Sequence, residues 1–146
     1  MSACTFCGHS DAGEEILLAL KDAISEMITC GVDCFYVGSN GSFDRMALLL
    51  LREFKGQYPN ISYHVVLSYM PGEKEAYNFY EDAETLYPDG LEDVPLRYAI
   101  VHRNRWMVEH SQHIIAYVTH GWGGVAATLK VAQNRKLQTK QIFSTK

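Results

Sequence analysis

The chain has 146 residues, a hydrophobic fraction of 47% and a formal net charge of −4, which fits one globular domain with a real core. No apolar run approaches membrane-spanning length, and the first residues carry no signal-peptide pattern. A cytoplasmic protein is therefore expected, and the acidic balance counts against nucleic acid as a partner.

Ala3 to Cys7 reads as a short strand that ends in the loop Gly8-His9-Ser10-Asp11. Ser10 or Asp11 is placed to cap the next helix, in which Ile16, Leu17, Leu20, Ile24, Met27 and Ile28 recur at helical spacing and Gly31 marks the end. Cys4, Cys7 and His9 spell C-x-x-C-x-H. Strand alternation points the two thiols to opposite faces, so no metal site is expected and the four cysteines read as free thiols.

Val32 to Val37 is the second strand, running into Gly38-Ser39-Asn40-Gly41 and a helix that Ser42 is placed to cap. That helix contains the apolar run Met46 to Leu51 and extends to about Lys55. A glycine loop between strand and helix offers backbone N–H groups beside a positive dipole end, which suits a phosphate or carboxylate. Ile61 to Tyr69 is a third strand, and the strand–helix alternation implies parallel pairing.

Pro71 to Pro95 differs from the rest. It holds eight acidic residues and one lysine, against nine acidic and twelve basic residues elsewhere. With Tyr77, Phe79, Tyr80 and Tyr87 it reads as an aromatic insertion, either a lid that stacks on a base or a solvated excursion packed by its own aromatics.

Leu96 to Ser111 is a helix whose wheel puts Leu96, Ile100, Arg103, Asn104 and Met107 on one face and Tyr98, His102, Arg105 and Glu109 on the other. Arg103 is thus expected inside, facing an acid or an anionic ligand. Arg105 is expected in solvent, spaced for an ion pair with Glu109. Ile114 to Val118 is the fourth strand, followed by the loop Thr119-His120-Gly121-Trp122-Gly123-Gly124. A helix from about Val125 to Asn134, with Thr128 one turn in, and a last strand at Gln141 to Ser144 complete the chain.

The expected fold is a single-domain, Rossmann-like three-layer α/β sandwich with a mainly parallel sheet. Its three strand-to-helix loops open together at the carboxyl edge, where such sheets bind ligands.

Phe6-Cys7-Gly8-His9-Ser10 resembles the first-strand Cys-Gly-Ser-Ser motif of the SLOG superfamily, which groups DprA with the LOG proteins. Val37-Gly38-Ser39-Asn40-Gly41-Ser42-Phe43-Asp44 resembles that superfamily's second glycine loop, most of all in its YpsA-like branch. Tyr87-Pro88, the run Pro95 to Ile100, the run Arg103 to Val108, and Gly123-Gly124 with Thr128 and Ala132 are similar to that branch as well. The resemblance covers nearly the whole chain and implies a single domain that binds a nucleotide or nucleotide derivative. LOG enzymes carry Pro-Gly-Gly-x-Gly-Thr-x-x-Glu after the fourth strand; here the stretch is Gly-Trp-Gly-Gly-Val-Ala-Ala-Thr-Leu-Lys, without the glutamate.

Binding or sensing of a nucleotide-like small molecule is therefore the first expectation. Gly8, Gly38, Gly41, Gly123 and Gly124 would admit the ligand to the backbone, beside His9 and Ser10. Ser39, Asn40 and Thr128 would add hydrogen bonds, Arg103 a phosphate contact and Asp44 a ribose contact. No cofactor and no metal are called for, and a homo-oligomer is expected. An N-glycosidic hydrolase or transferase using Asp44 is one alternative; DprA-like single-strand DNA binding is another.

Overall fold

A computed structural model describes residues 2–68 and 84–143. Six strands, β1 (Ala3–Gly8), β2 (Cys34–Val37), β3 (Ser62–Val66), β4 (Glu84–Leu86), β5 (His113–Tyr117) and β6 (Gln138–Gln141), form one sheet in the order β4-β3-β2-β1-β5-β6. Every pairing is parallel. Among the described residues the four α-helices are α1 (Leu17–Thr29), α2 (Gly41–Gln57), α3 (Leu96–Glu109) and α4 (Gly123–Asn134). This is the expected Rossmann-like α/β sandwich.

The layers follow from strand alternation. Cys4 and Phe6 of β1 join the larger core with Leu20 and Ile24 of α1 and Ala47, Leu48 and Leu51 of α2. Cys7, on the other side of the strand, packs with Val108 of α3 and Leu129 and Ala132 of α4. The two thiols of the C-x-x-C pair thus sit in different cores, as the strand period requires. Chain order runs outward from β1 through β2 and β3, then returns to β5 on the far side of β1. The reversal places a crevice between β1 and β5.

Several expectations are corrected. Ser10 and Asp11 cap no helix: a 3₁₀ turn at Glu14–Ile16 precedes α1. Gly31 does end α1, with φ +99, and the amide of Val32 reaches back to the Met27 carbonyl. Ser42 is not a cap either. Asn40 holds that position, and the Ser42 hydroxyl donates to the carbonyls of Ser10 and Ala12. The last strand comes three residues earlier than expected, because β6 is a polar edge strand, Gln138-Thr139-Lys140-Gln141, that carries no hydrophobic signal. Part of the acidic segment is sheet: β4 pairs with β3. Tyr77, Phe79 and Tyr80, on which the lid expectation rests, lie outside the described residues.

The wheel of α3 is half right. Arg103 is 2% exposed and Met107 is buried. Leu96, at 82% exposure, faces solvent instead, because the inward stripe runs Ala99, Arg103, Met107 and Val108; Ile100 is partly exposed but keeps the face of Arg103, Asn104 and Met107. Arg105 is exposed as expected, yet Glu109 pairs with Arg135 of α4 at 3.9 Å and not with Arg105.

Candidate functional site

Parallel pairing with β1 central makes the loops after β2, β1 and β5 neighbours. Ser10 ties the first two: its carbonyl accepts from the Ser42 amide at 2.8 Å. His9 ties β1 to β5, its Nε2 accepting from the Thr119 amide at 2.9 Å. An accepting Nε2 is unprotonated, so His9 is neutral. Burial and the neighbouring His120 lower its pKa, which agrees.

Between these loops and α3 and α4 lies a crevice of about 220 Å³. Gly8, Ser10, Asn40, Asp44, Arg103, Gly124 and Thr128, all named from sequence, line it. His9, Gly38, Ser39, Gly41 and Gly123 do not.

The glycines divide by what would fill their missing Cβ. A Cβ on Gly8 would lie inside the Phe43 ring. One on Gly38 would meet Asp44 Oδ2 at 2.6 Å and the Arg103 guanidinium at 3.0 Å. At Gly41, where φ is +86, it would meet Ser10 Cα at 2.5 Å. These three serve the protein's own packing. Gly124 is different: nothing stands within 4 Å of its Cβ position, and it faces the crevice.

The same division holds for the helix ends. At α2, the Asn40 amide is bonded to Asp44 Oδ2 at 3.1 Å, and the Ser42 amide to Ser10. The protein's own acceptors occupy that N-terminus. At α4, the N-cap Trp122 makes no side-chain cap bond, so the first turn of α4 keeps N–H groups for an external acceptor.

Facing that turn is a polar relay. Arg103 Nη1 donates to the Val66 carbonyl at 3.2 Å and to Ser39 Oγ at 3.3 Å. Its Nε donates to Asn104 Oδ1 at 2.8 Å. Asn104 Nδ2 donates to Thr128 Oγ1 at 3.2 Å, and that hydroxyl donates to the Gly124 carbonyl at 2.9 Å. Asn104 was missed as a site residue. The signal was its place beside Arg103 on the inward face of the wheel. Asp44 sits across from Arg103. Burial pushes its carboxyl up to about 6, while Arg103 and the Asn40 amide pull the other way.

Beside the crevice stands an aromatic stack that sequence reasoning also missed. Trp122 stacks on His120 with ring centroids 3.8 Å apart, and His120 on His9 at 4.5 Å. His9 meets the Tyr117 ring edge-on. Trp122 itself is 72% exposed, so one indole face is open on a rigid support.

Charge is segregated along the chain. Residues 96 to 146 hold eight Lys and Arg and one acid, Glu109. Residues 11 to 57, which include α1 and α2, hold eight acids and four bases. Arg97, Arg105, Lys130 and Lys136 are exposed.

Among the described residues no helix is long and apolar enough to cross a membrane. No protein-family model matches the chain, and neither does any curated protein sequence. A solved structure does match: DNA processing protein A from Helicobacter pylori, whose single-stranded DNA binding mode that structure describes. The two share 14% identity with a TM-score of 0.68 over 96% of this chain. The chain spans 64% of that structure's length. The expectation against nucleic acid is thereby overturned: a protein of this fold binds single-stranded DNA, and the net charge of −4 averages over segments of opposite sign, Pro71 to Pro95 with eight acids and one lysine and residues 96 to 146 with eight bases and one acid. The chain has the DprA-like fold.

Proposed function

We propose that the crevice binds a nucleotide unit of a single-stranded nucleic acid, within a protein of the YpsA-like branch. The observation that carries this reading is the uncapped N-terminus of α4, set opposite the Arg103–Asn104–Thr128 relay and next to the open face of Trp122. A phosphate takes the amides of the first turn of α4 and the charge of Arg103. A base stacks on Trp122, backed by His120 and His9. Stacking on an indole does not depend on base identity, so weak sequence preference is expected.

The test is titration of a labelled oligothymidylate, read by anisotropy and by indole fluorescence. Trp122→Ala should weaken binding by about 1–3 kcal/mol with the melting temperature unchanged, since the ring is largely in solvent. Undiminished binding by that variant would sink the reading.

A second reading has one observation in its favour. Asp44 lines the crevice with a carboxyl raised to about 6, the range useful to an acid–base group. Release of free base from a nucleotide, lost in Asp44→Asn, would establish that N-glycosidic activity.

A further inference from the structure

The outer side of the α3–α4 layer carries a second cavity. It is a groove of about 160 Å³ between the two helices, floored by Val101, Val108, Ala127 and Val131 and flanked by Arg105. Asn104, Gly124 and Thr128 line both the groove and the crevice. The two spaces therefore lie on either side of one wall, in which Asn104 Nδ2 donates to Thr128 Oγ1 and Thr128 Oγ1 to the Gly124 carbonyl, and the Gly124 end of that wall carries no side chain and meets none within 4 Å.

We propose that the groove is a second subsite, which carries the continuation of the strand whose nucleotide unit occupies the crevice; this rests on the reading given above. Three features fix the occupant as a polyanion with apolar faces. The groove adjoins the crevice across a wall that has no side chain at Gly124, so a strand leaving the crevice over Gly124 passes onto the groove. Its floor is aliphatic, suited to the sugar and to the face of a base. Its flank is basic: Arg105 lines it, and Lys130 of α4 is exposed on the facing helix; neither forms a salt bridge among the described residues. Glu109, the single acid of residues 96 to 146, is itself paired with Arg135. No carboxylate stands among the described residues that line the groove. The valines and alanine offer no hydrogen bonds to base edges, and the Asn104 and Thr128 side chains already bond Arg103, each other and the Gly124 carbonyl, so weak sequence preference is expected in the groove as well.

The geometry also separates the roles of two neighbouring arginines. Arg103 is buried and belongs to the crevice; Arg105, two residues on, is exposed and belongs to the groove. A short ligand should feel only the first, and a long one both.

The experiment compares a thymidine dinucleotide with an oligothymidylate of about twelve nucleotides, using the full chain and the double variant Arg105→Glu, Lys130→Glu. Both positions are exposed, and melting curves verify that the variant folds. For the unchanged protein the longer oligomer should bind about tenfold or more tightly than the dinucleotide. In the variant this gain should vanish, dinucleotide affinity should hold within about threefold, and the salt slope for the longer oligomer should fall by about 1.4, the value for two lost contacts to a single strand. Equal affinity for the two lengths, or a variant that keeps the length gain, overturns the groove while the crevice reading stands on the dinucleotide. Loss of both ligands in the unchanged protein overturns both. A variant whose sedimentation changes while its affinity for the longer oligomer does not shows the groove to be an interface between two copies of the chain, and the proposal falls.

Discussion

Arg103 is the residue whose removal the structure prices most clearly. It is 2% exposed and donates to the Val66 carbonyl, to Ser39 and to Asn104. Arg103→Ala leaves a buried carbonyl and the Asn104 amide oxygen without that donor, at about 1–3 kcal/mol for a buried unsatisfied group. Its aliphatic stem adds about 1 kcal/mol of lost packing. Asp44 limits the damage, because a carboxyl already near 6 takes up a proton when the neighbouring cation is gone. The expected loss is about 2–4 kcal/mol, overlapping the range for breaking one side of a buried charged contact. Arg105→Ala should cost less than about 1 kcal/mol. Urea unfolding of both variants at one pH reads the difference as a shift in midpoint at constant slope. Arg103→Lys keeps the charge but lacks the fork that reaches several acceptors, and should fall between. Equal losses for Arg103→Ala and Arg105→Ala would refute this account of the relay.

Three further predictions follow from the same geometry. Asp44 has a folded pKa above its unfolded value, so its contribution is complete below the unfolded pKa of about 4 and is lost as pH rises through about 6. Measured against Asp44→Asn, wild-type stability should therefore decline by about 2 kcal/mol between about pH 4 and about pH 7; a flat difference would show that Asp44 is not held neutral. His9 has the opposite sign: its lowered pKa stabilises the fold above the ordinary histidine range, and the benefit disappears on acidification as Nε2 ceases to accept from Thr119. Acid titration of His9→Phe should show a shallower loss of stability than wild type. Gly38→Ala should destabilise by about 1–3 kcal/mol, since its Cβ collides with Asp44 and Arg103. Gly124→Ala should leave stability within about 1 kcal/mol but weaken phosphate binding, and a reversed order in thermal melts would contradict the division of the glycines.

Much of the fold was legible because it is written in apolar periodicity. Ile16, Leu20, Ile24 and Met27 mark α1, and all four are buried. The chain's elements failed to show where periodicity was absent. β6 is polar, and β4 is three residues long with two exposed; each is an edge strand held by backbone pairing on one side. Arg103 was found from the wheel because a single buried cation on an apolar stripe is conspicuous. Leu96 was misplaced because the wheel fixes a direction only to within a wide sector, and the neighbours decide the rest. Asn104 was passed over because its use depends on Thr128 of another helix. Glycines in a loop look alike in sequence. Only the atoms opposite them separate Gly38, which makes room for Arg103, from Gly124, which makes room for something outside the chain.

Charge gives the last step of the argument, because the same net value permits two very different surfaces. Spread evenly, −4 would repel a strand from every side. Here residues 11 to 57 are net acidic, while residues 96 to 146 carry eight bases against one acid. The α1–α2 layer and the α3–α4 layer pack on opposite faces of the sheet, so among these four helices the basic excess is concentrated on the α3–α4 side. A polyanion approaching the molecule is turned toward α3 and α4 before contact, which speeds encounter and fixes orientation more than it adds affinity. A mononucleotide concentrates its charge at one point and is steered far less. The association rate of a long oligothymidylate should therefore fall steeply with added salt, while that of a mononucleotide changes little. Stopped-flow mixing across a salt series reads both rates. Parallel salt dependences for the two ligands would mean that the basic half acts at the crevice alone, and that the charge segregation plays no part in capturing a strand.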